Sequence, residues 1–232
     1  PLWWLRVKQA AGRGATLIVV NPRATRLDKY AAHVIRCPYG AEAETLSAFL
    51  PGAKMHQNLW EAAAAFAEGE NRVILYGSEG LGLQGSRGLA QTAAVVLAGY
   101  GKVGAVNNGL IGVWQRANDQ GAWEIGFRPS ADLAAELSSA GVLLVAAADP
   151  AGDDPVLAQA VEQAGFLVVQ ELFLTETARR ADVVLPAQAF TEREGTLISG
   201  ERRLQRYYPA LAPRGDSCAD YAIAAQIGQK LG

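Results

Sequence analysis

The stretch TETARRADVVLPA, from Thr175 to Ala187, decides the fold. Thr175 is a residue typical of a helix N-cap, because its hydroxyl can accept a hydrogen bond from a free backbone N–H of the first turn. The run Asp182–Leu185 that follows is rich in β-branched residues, which favour strands. This stretch therefore predicts a capped helical turn that leads directly into a buried β-strand.

Further short apolar runs have the same composition. They are rich in Val, Ile and Leu and show little polar alternation, which is typical of strands covered on both faces of a parallel sheet. Together with Asp182–Leu185, the predicted strands are Thr16–Val20, Val73–Tyr76, Val142–Ala147 and Phe166–Gln170.

Helical patterns lie between these strands, and alternating strands and helices predict an α/β fold with a parallel sheet. We expect a Rossmann-like arrangement, mostly parallel with flanking helices, and no internal repeat. A domain boundary is expected near Pro51–Gly52, which separates a partial βα portion (1–51) from a main α/β domain (52–232). Within the latter, 99–129 is rich in Gly and Asn and predicts a long loop. The predicted helices are Leu59–Glu68, Arg87–Ala98, Pro155–Ala164 and Asp220–Leu231.

Composition excludes several classes of function. The formal net charge is −2 and no block of Lys and Arg occurs, so we expect no nucleic-acid partner. No apolar run approaches the ~20 residues needed to cross a bilayer, and Pro1–Leu5 has no basic signal-peptide start. The expectation is a protein of the cytoplasmic side without direct membrane insertion.

Neither the cysteines nor the histidines form a recognisable catalytic or metal motif. Cys37 and Cys218 are too few to hold an ordinary iron–sulfur cluster, which takes four thiolates. His33 and His56 have no second ligand at metal spacing, so structural or surface roles are expected for both. Glu192 and Glu194 are expected to be solvated or ion-paired. The sequence thus predicts no catalytic residue and no metal ligand.

Two motifs follow predicted strands and are candidate binding sites. The first, Asn21-Pro22-Arg23, places an amide and a guanidinium where α/β sheets bind ligands, although local chemistry alone favours an Asn-Pro turn whose Arg forms a surface ion pair. The second is the G-x-G-x-x-G run from Gly80 to Gly85. An NAD site there is an alternative, but Glu79 beside it and the lack of an acid about 20 residues on favour a turn without ligand.

Read as a whole, the chain resembles the molybdopterin oxidoreductases, a family with the fold of formate dehydrogenase and DMSO reductase. Its signature resembles the stretch from Thr175 to Gln205, with EREGT from Glu192 and ERRLQ from Glu201. The run Gly14–Arg26 (GATLIVVNPRATR) resembles the strand and loop "GAKLIVVDPRRT" of the family. The resemblance implies that Asn21 stands where the family has its guanine-binding aspartate.

Within the family, Arg116–Pro129 (RANDQGAWEIGFRP) is most similar to the large iron–sulfur subunit of NADH–quinone oxidoreductase, respiratory complex I. That resemblance implies a scaffold without its own cofactor, serving electron transfer. Its partners would be other subunits of the peripheral arm, at the cytoplasmic face of the cell membrane. The iron–sulfur clusters would lie in an N-terminal part that is absent from these residues.

The alternative is the portion of an active molybdenum oxidoreductase that binds molybdopterin guanine dinucleotide. In that case the resemblance implies that five residues line the nucleotide or the pterin. They are Asn21, Arg23, Gly77, Gly80 and Thr175.

Overall fold

The computed structural model describes residues 2–53, 57–77 and 81–232, which form two compact units, Pro1–Asp119 and Gln120–Gly232. The division falls at Asp119, and the boundary expected near Pro51–Gly52 lies inside the first unit. Residues from both sides of position 51 share one hydrophobic cluster there, for example Phe49 with Ala62 and Val96. This shared core makes the two sides one unit.

The first unit contains two pairs of parallel strands. The strands β1 and β2 pair from Ile18↔His33 to Val20↔Ile35, and β3 pairs with β4 from Val73↔Gly109 to Tyr76↔Gly112. Side chains from β1, β2 and β3 all pack on the Phe49 cluster. The elements are α1 Leu2–Gly12, β1 Ile18–Val20, β2 His33–Ile35, α2 Glu42–Ser47, α3 Gln57–Glu68, β3 Val73–Tyr76, α4 Leu83–Gly99 and β4 Gly109–Gly112.

The second unit is built on a three-stranded parallel sheet in the order β5-β6-β7, with an antiparallel hairpin β8–β9 after it. A helix, α5 (Asp119–Glu124), lies at the division between the units. The remaining elements are α6 Leu133–Ser138, β5 Leu143–Ala146, α7 Pro150–Asp153, α8 Pro155–Glu162, β6 Leu167–Glu171, β7 Val183–Pro186, β8 Gly195–Ile198, β9 Leu204–Tyr207 and α9 Asp220–Leu231.

All five predicted strands are present and all pair in parallel, so the α/β prediction is confirmed. The prediction that they are covered on both faces agrees with β6, which has no exposed residue, but not with β5 and β7. Leu144 is 48% exposed and Val183 is 39% exposed. Alternate positions such as Val145 and Val169 point into the core with α6 and α8, which leaves the side chains of the opposite face partly open.

The long loop predicted for 99–129 is also corrected by the structure. This segment contains β4, which pairs in parallel with β3, and α5. The sequence of β4 is GLIG. Because glycine is depleted in strands, its two glycines give this segment no strand-like composition, and the sequence does not predict it. Within the described ranges, no helix is both long and apolar enough to cross a membrane.

Similar connections join β1 to β2 and β6 to β7. Each connection is about a dozen residues and contains a single 3₁₀ turn, Asp28–Tyr30 or Ala178–Arg180, in place of the usual crossover helix. The backbone N–H of Ala32 donates to Leu17 O at 2.8 Å, and that of Asp182 donates to Leu167 O at 2.9 Å. An equivalent backbone hydrogen bond thus closes the connection in both places, one residue before the second strand begins.

The turn before β6 depends on one glycine. A Cβ added at Gly165 would lie 2.7 Å from the backbone oxygen of Gly141, which no side-chain movement relieves, whereas a Cβ at Gly141 would meet nothing within 4 Å. We expect Gly165→Ala to lower the free energy of unfolding by about 1–3 kcal/mol. We expect Gly141→Ala, the matched control, to stay within about 0.5 kcal/mol of the parent. Urea unfolding measures both, and equal losses would contradict the packing described.

Candidate functional site

The loop after β1 is held by hydrogen bonds on both sides of Asn21. Its N–H donates to Ile35 O at 3.1 Å and extends the ladder with β2. Its carbonyl oxygen accepts from Arg36 Nη1 at 3.2 Å. The side-chain Oδ1 of Asn21 accepts from the backbone N–H of Arg23 at 3.0 Å, which fixes the Asn-Pro-Arg turn. The loop is therefore ordered by the chain itself.

An ion pair between Asp28 and Arg36 stabilises this loop. Asp28 pairs with Arg36, and it also accepts from the hydroxyl of Thr25 at 2.7 Å and from the Thr25 N–H at 3.1 Å. The Thr25 hydroxyl is the main cause that lowers the pKa of the Asp28 carboxyl, and Arg36 acts in the same direction. These three side chains hold residues 21–36 as one rigid turn. Thr25 and Asp28 have the T-x-x-D spacing of a capping box, which could have indicated their contact, whereas no sequence pattern joins Arg36 to Asp28 eight residues away.

Gly77 follows β3, as Asn21 follows β1. It is exposed, and among the described residues a Cβ added to it would meet only Val113 O, at an ordinary contact distance of 3.8 Å. Gly80 lies outside the described residues. Of the other glycines in the G-x-G-x-x-G run, Gly82 is the N-cap of α4 and Gly85 lies inside that helix. Since the carboxyl ends of parallel strands are where α/β sheets bind ligands, Gly77 and Asn21 remain candidate ligand-binding residues.

In the second unit, the carboxylate of Asp149, which follows β5, is hydrogen-bonded to Thr177. Thr177 is fully buried, and its N–H and hydroxyl donate to Asp149 Oδ1 at 2.8 and 2.7 Å. The same hydroxyl accepts from the N–H of Ala151 at 3.0 Å. The Thr177 hydroxyl is the main cause that holds the pKa of Asp149 below its usual value. Asp149 also caps α7 through Gly152 N.

Thr175 has a local structural role. Its hydroxyl accepts from the N–H of Ala178, the first residue of the 3₁₀ turn Ala178–Arg180, at 3.2 Å, but the N-cap position of that turn is Thr177 and not Thr175 as the sequence predicted. The helix is shortened because β7 begins at Val183 and leaves room for one turn only. Thr175 belongs to the second unit, whereas Asn21, Arg23 and Gly77 belong to the first.

The donor set of the first unit fits the phosphate-bearing end of a nucleotide. Arg23 and Arg26 are exposed on the loop after β1, and guanidinium groups recognise phosphate with paired hydrogen bonds. The exposed backbone of Gly77 allows close approach. The amide of Asn21 adds hydrogen bonds but no charge. This chemistry suits a nucleotide-bearing cofactor, and the neutral amide of Asn21 lacks the charge-assisted hydrogen bonds that a carboxylate makes to a guanine edge.

Other polar residues singled out in the sequence have structural partners. The thiol of Cys37 is buried, and desolvation raises its pKa. Glu192 accepts from the N–H of Ala189 at 3.1 Å, and Glu194 pairs with Arg206 at 2.7 Å. No cluster of three or more metal-ligand side chains occurs in the part of the chain that the structure describes. The absence of catalytic and metal-binding residues stays a prediction.

The buried Thr177 hydroxyl gives a first stability test. Thr177→Val keeps the shape but removes a donor to Asp149 and an acceptor for Ala151 N–H, so we expect a loss of about 1–3 kcal/mol in the free energy of unfolding. Thr177→Ser keeps the hydroxyl and serves as the control, with a smaller loss. Thermal and urea unfolding measure both, and a valine variant as stable as the serine variant would contradict the role of the hydroxyl.

The same contact predicts a pH dependence. The pKa of Asp149 is lowered in the folded state, so its contribution to stability is full well above the unfolded pKa of about 3.9 and is lost as the pH falls through the folded pKa. We expect the parent to lose more stability than Thr177→Val between about pH 5 and pH 2. Unfolding midpoints across this range test the prediction, and parallel curves would count against it.

Comparison with known proteins identifies the family. The family model described as Molybdopterin oxidoreductase matches residues 3–230. The chain is 37% identical over 145 residues to F420-dependent formate dehydrogenase 2 subunit alpha of Methanococcus maripaludis, which covers 59% of this chain and 20% of that protein. It is 40% identical over 89 residues to F420-dependent formate dehydrogenase subunit alpha of Methanocaldococcus jannaschii, covering 35% and 13%.

A putative formate dehydrogenase of Staphylococcus aureus (strain USA300) is 52% identical over 73 residues, which is 32% of this chain and 7% of that protein. The aligned part of each of these three relatives is thus no more than 20% of its length. Because the family model spans nearly all the residues, the chain belongs to the molybdopterin oxidoreductase family.

Proposed function

We propose that the chain is the nucleotide-holding α/β part of a molybdopterin oxidoreductase of the formate dehydrogenase kind. The observation that carries the proposal is the pair of open strand ends in the first unit, where Asn21, Arg23 and Gly77 follow β1 and β3. The similarity to formate dehydrogenase alpha subunits supports it. This reading replaces the cofactor-free scaffold of complex I as the leading hypothesis.

The residues of the first unit would hold the phosphate-bearing part of a molybdopterin nucleotide. When bound, this cofactor would supply two-electron redox chemistry through its metal. Arg23 would neutralise phosphate charge, and Gly77 would admit phosphate or sugar oxygens close to the backbone. The pairing of Arg36 with Asp28 would keep the loop in its binding conformation before the ligand arrives, which lowers the entropic cost of binding.

Gly77 offers a test that separates binding from folding. Among residues 2–53, 57–77 and 81–232, a Cβ at this position meets only Val113 O at 3.8 Å, so Gly77→Ala should fold as well as the parent. If backbone and cofactor approach closely, we expect the variant to retain several-fold less molybdenum or tungsten and nucleotide per chain. Elemental analysis and nucleotide release from purified protein measure this.

Gly88→Ala is the matched control, because a Cβ there meets nothing within 4 Å and alanine favours the helix α4. It should retain as much metal and nucleotide as the parent. The parent is produced in a host that supplies the cofactor. If it then contains neither metal and no nucleotide, the proposal is contradicted.

A second candidate is the scaffold part of the large subunit of NADH–quinone oxidoreductase. One structural observation favours it. The segment Arg116–Pro129 exposes Trp123, Ile125 and Phe127, and the guanidinium of Arg128 stacks over the Trp123 ring at 3.8 Å. Exposed aromatic side chains with arginine are typical of protein interfaces, which such a scaffold needs.

The two candidates differ in what co-purifies with the protein. The scaffold would be free of molybdenum and tungsten and would assemble with other subunits of a peripheral arm. Replacing Trp123 and Phe127 by serine should then reduce the assembled fraction several-fold on size-exclusion chromatography. A metal-loaded protein whose assembly is unchanged by these substitutions would exclude the scaffold.

A further inference from the structure

The basic side chains are concentrated in the first 36 residues of the chain. Seven of these residues are Lys or Arg and one, Asp28, is acidic, whereas the remaining residues comprise 14 Lys or Arg and 22 Asp or Glu. The carboxylate of Asp28 is already paired with Arg36. The formal net charge of −2 therefore conceals a cationic region that has no carboxylate of its own left to neutralise it.

Helix α1 presents three of these cations to solvent. Arg6 and Lys8 on α1, and Arg13 directly after it, are exposed, and the sequence of α1 contains no acidic residue. Their charged groups form no ion pair with a carboxylate among residues 2–53, 57–77 and 81–232. Gathering like charges costs electrostatic free energy, which an external anionic surface offsets.

Two aromatic rings fix the side of α1 that faces the chain. The ring of Trp4 packs edge-on against Tyr30 of the 3₁₀ turn Asp28–Tyr30, with centroids 6.5 Å apart. The Nζ of Lys8 lies 5.6 Å from the centroid of the Tyr30 ring, and the Nζ of Lys29 lies 5.0 Å from it. The cationic surface thus continues from α1 onto the turn, and the other side of α1 is open.

The open side of α1 combines cations with apolar side chains. Leu2 is 77% exposed and Leu5 is 51% exposed, and both line one surface with Arg6, Gln9 and Arg13. Charged residues are depleted in the core of protein–protein interfaces, so this mixture does not suit a protein partner. At a lipid headgroup layer, long cationic side chains reach the phosphates while their apolar neighbours enter the boundary with the acyl chains.

We propose that α1 binds along the surface of an anionic phospholipid bilayer through Arg6, Lys8 and Arg13, and that Leu2 and Leu5 enter the headgroup layer. The charge of the lipid complements the cationic region, and the alternation of leucine and arginine matches the layered chemistry of the headgroups. This surface goes beyond the proposed function, because the proposed nucleotide contacts follow β1 and β3 and use none of these five residues.

Co-sedimentation of the purified chain with vesicles tests the proposal. We expect binding to vesicles of equal parts phosphatidylglycerol and phosphatidylcholine, weaker binding at high ionic strength, and little binding to phosphatidylcholine alone. The double variant Arg6→Gln and Arg13→Gln should bind about twentyfold more weakly, because each cation near an anionic lipid surface contributes about fivefold. Leu2→Ser with Leu5→Ser should weaken binding without changing its salt dependence, since leucine carries no charge.

Arg203→Gln with Arg214→Gln is the matched control. It makes the same change of net charge at two exposed positions of the second unit, and it should bind as the parent does. Equal losses in the two arginine double variants would show an effect of net charge alone and overturn the proposal. Failure of the parent to bind the anionic vesicles overturns it too, as does binding to poly-L-glutamate or duplex DNA without binding to the vesicles.

Discussion

The fold of each unit depends on one backbone hydrogen bond, which closes a short connection between two neighbouring parallel strands. In each, the chain leaves one strand, makes a single 3₁₀ turn and returns as the neighbouring parallel strand within about a dozen residues. The bonds from Ala32 to Leu17 and from Asp182 to Leu167 start the new strand in register. In the second unit, Asp182 also accepts from the Leu167 N–H at 2.7 Å through its carboxylate. With no crossover helix, the loop itself must be rigid.

That rigidity is supplied differently in the two units. In the first, Thr25, Asp28 and Arg36 join the loop to β2 through an ion pair and hydroxyl contacts. In the second, Thr177 is buried against Asp149 from the preceding strand end. The first arrangement leaves Asn21 and Arg23 at the open end of β1, whereas the second uses its polar groups internally. This difference is why the proposed nucleotide contacts lie in the first unit.

The sequence predicted the parallel strands well, because runs such as Val73–Tyr76 carry their own composition signal. It also placed Asn21-Pro22-Arg23 at a strand end. The short strand β2 was missed, since His33 interrupts its apolar character, and β4 was hidden by its glycines. The contact of Asp149 with Thr177 joins residues 28 positions apart, and no periodicity encodes such a pair.

We propose that the loop after β1 and the end of β3 hold the nucleotide of a pterin cofactor. Hydrogen–deuterium exchange tests it most directly, on protein made in a host that synthesises the cofactor and in a host that cannot. We expect added protection at residues 21–36 and 73–77 in the first preparation, with the hairpin β8–β9 unchanged. Equal exchange of residues 21–36 and 73–77 in two preparations that differ in bound cofactor would contradict it.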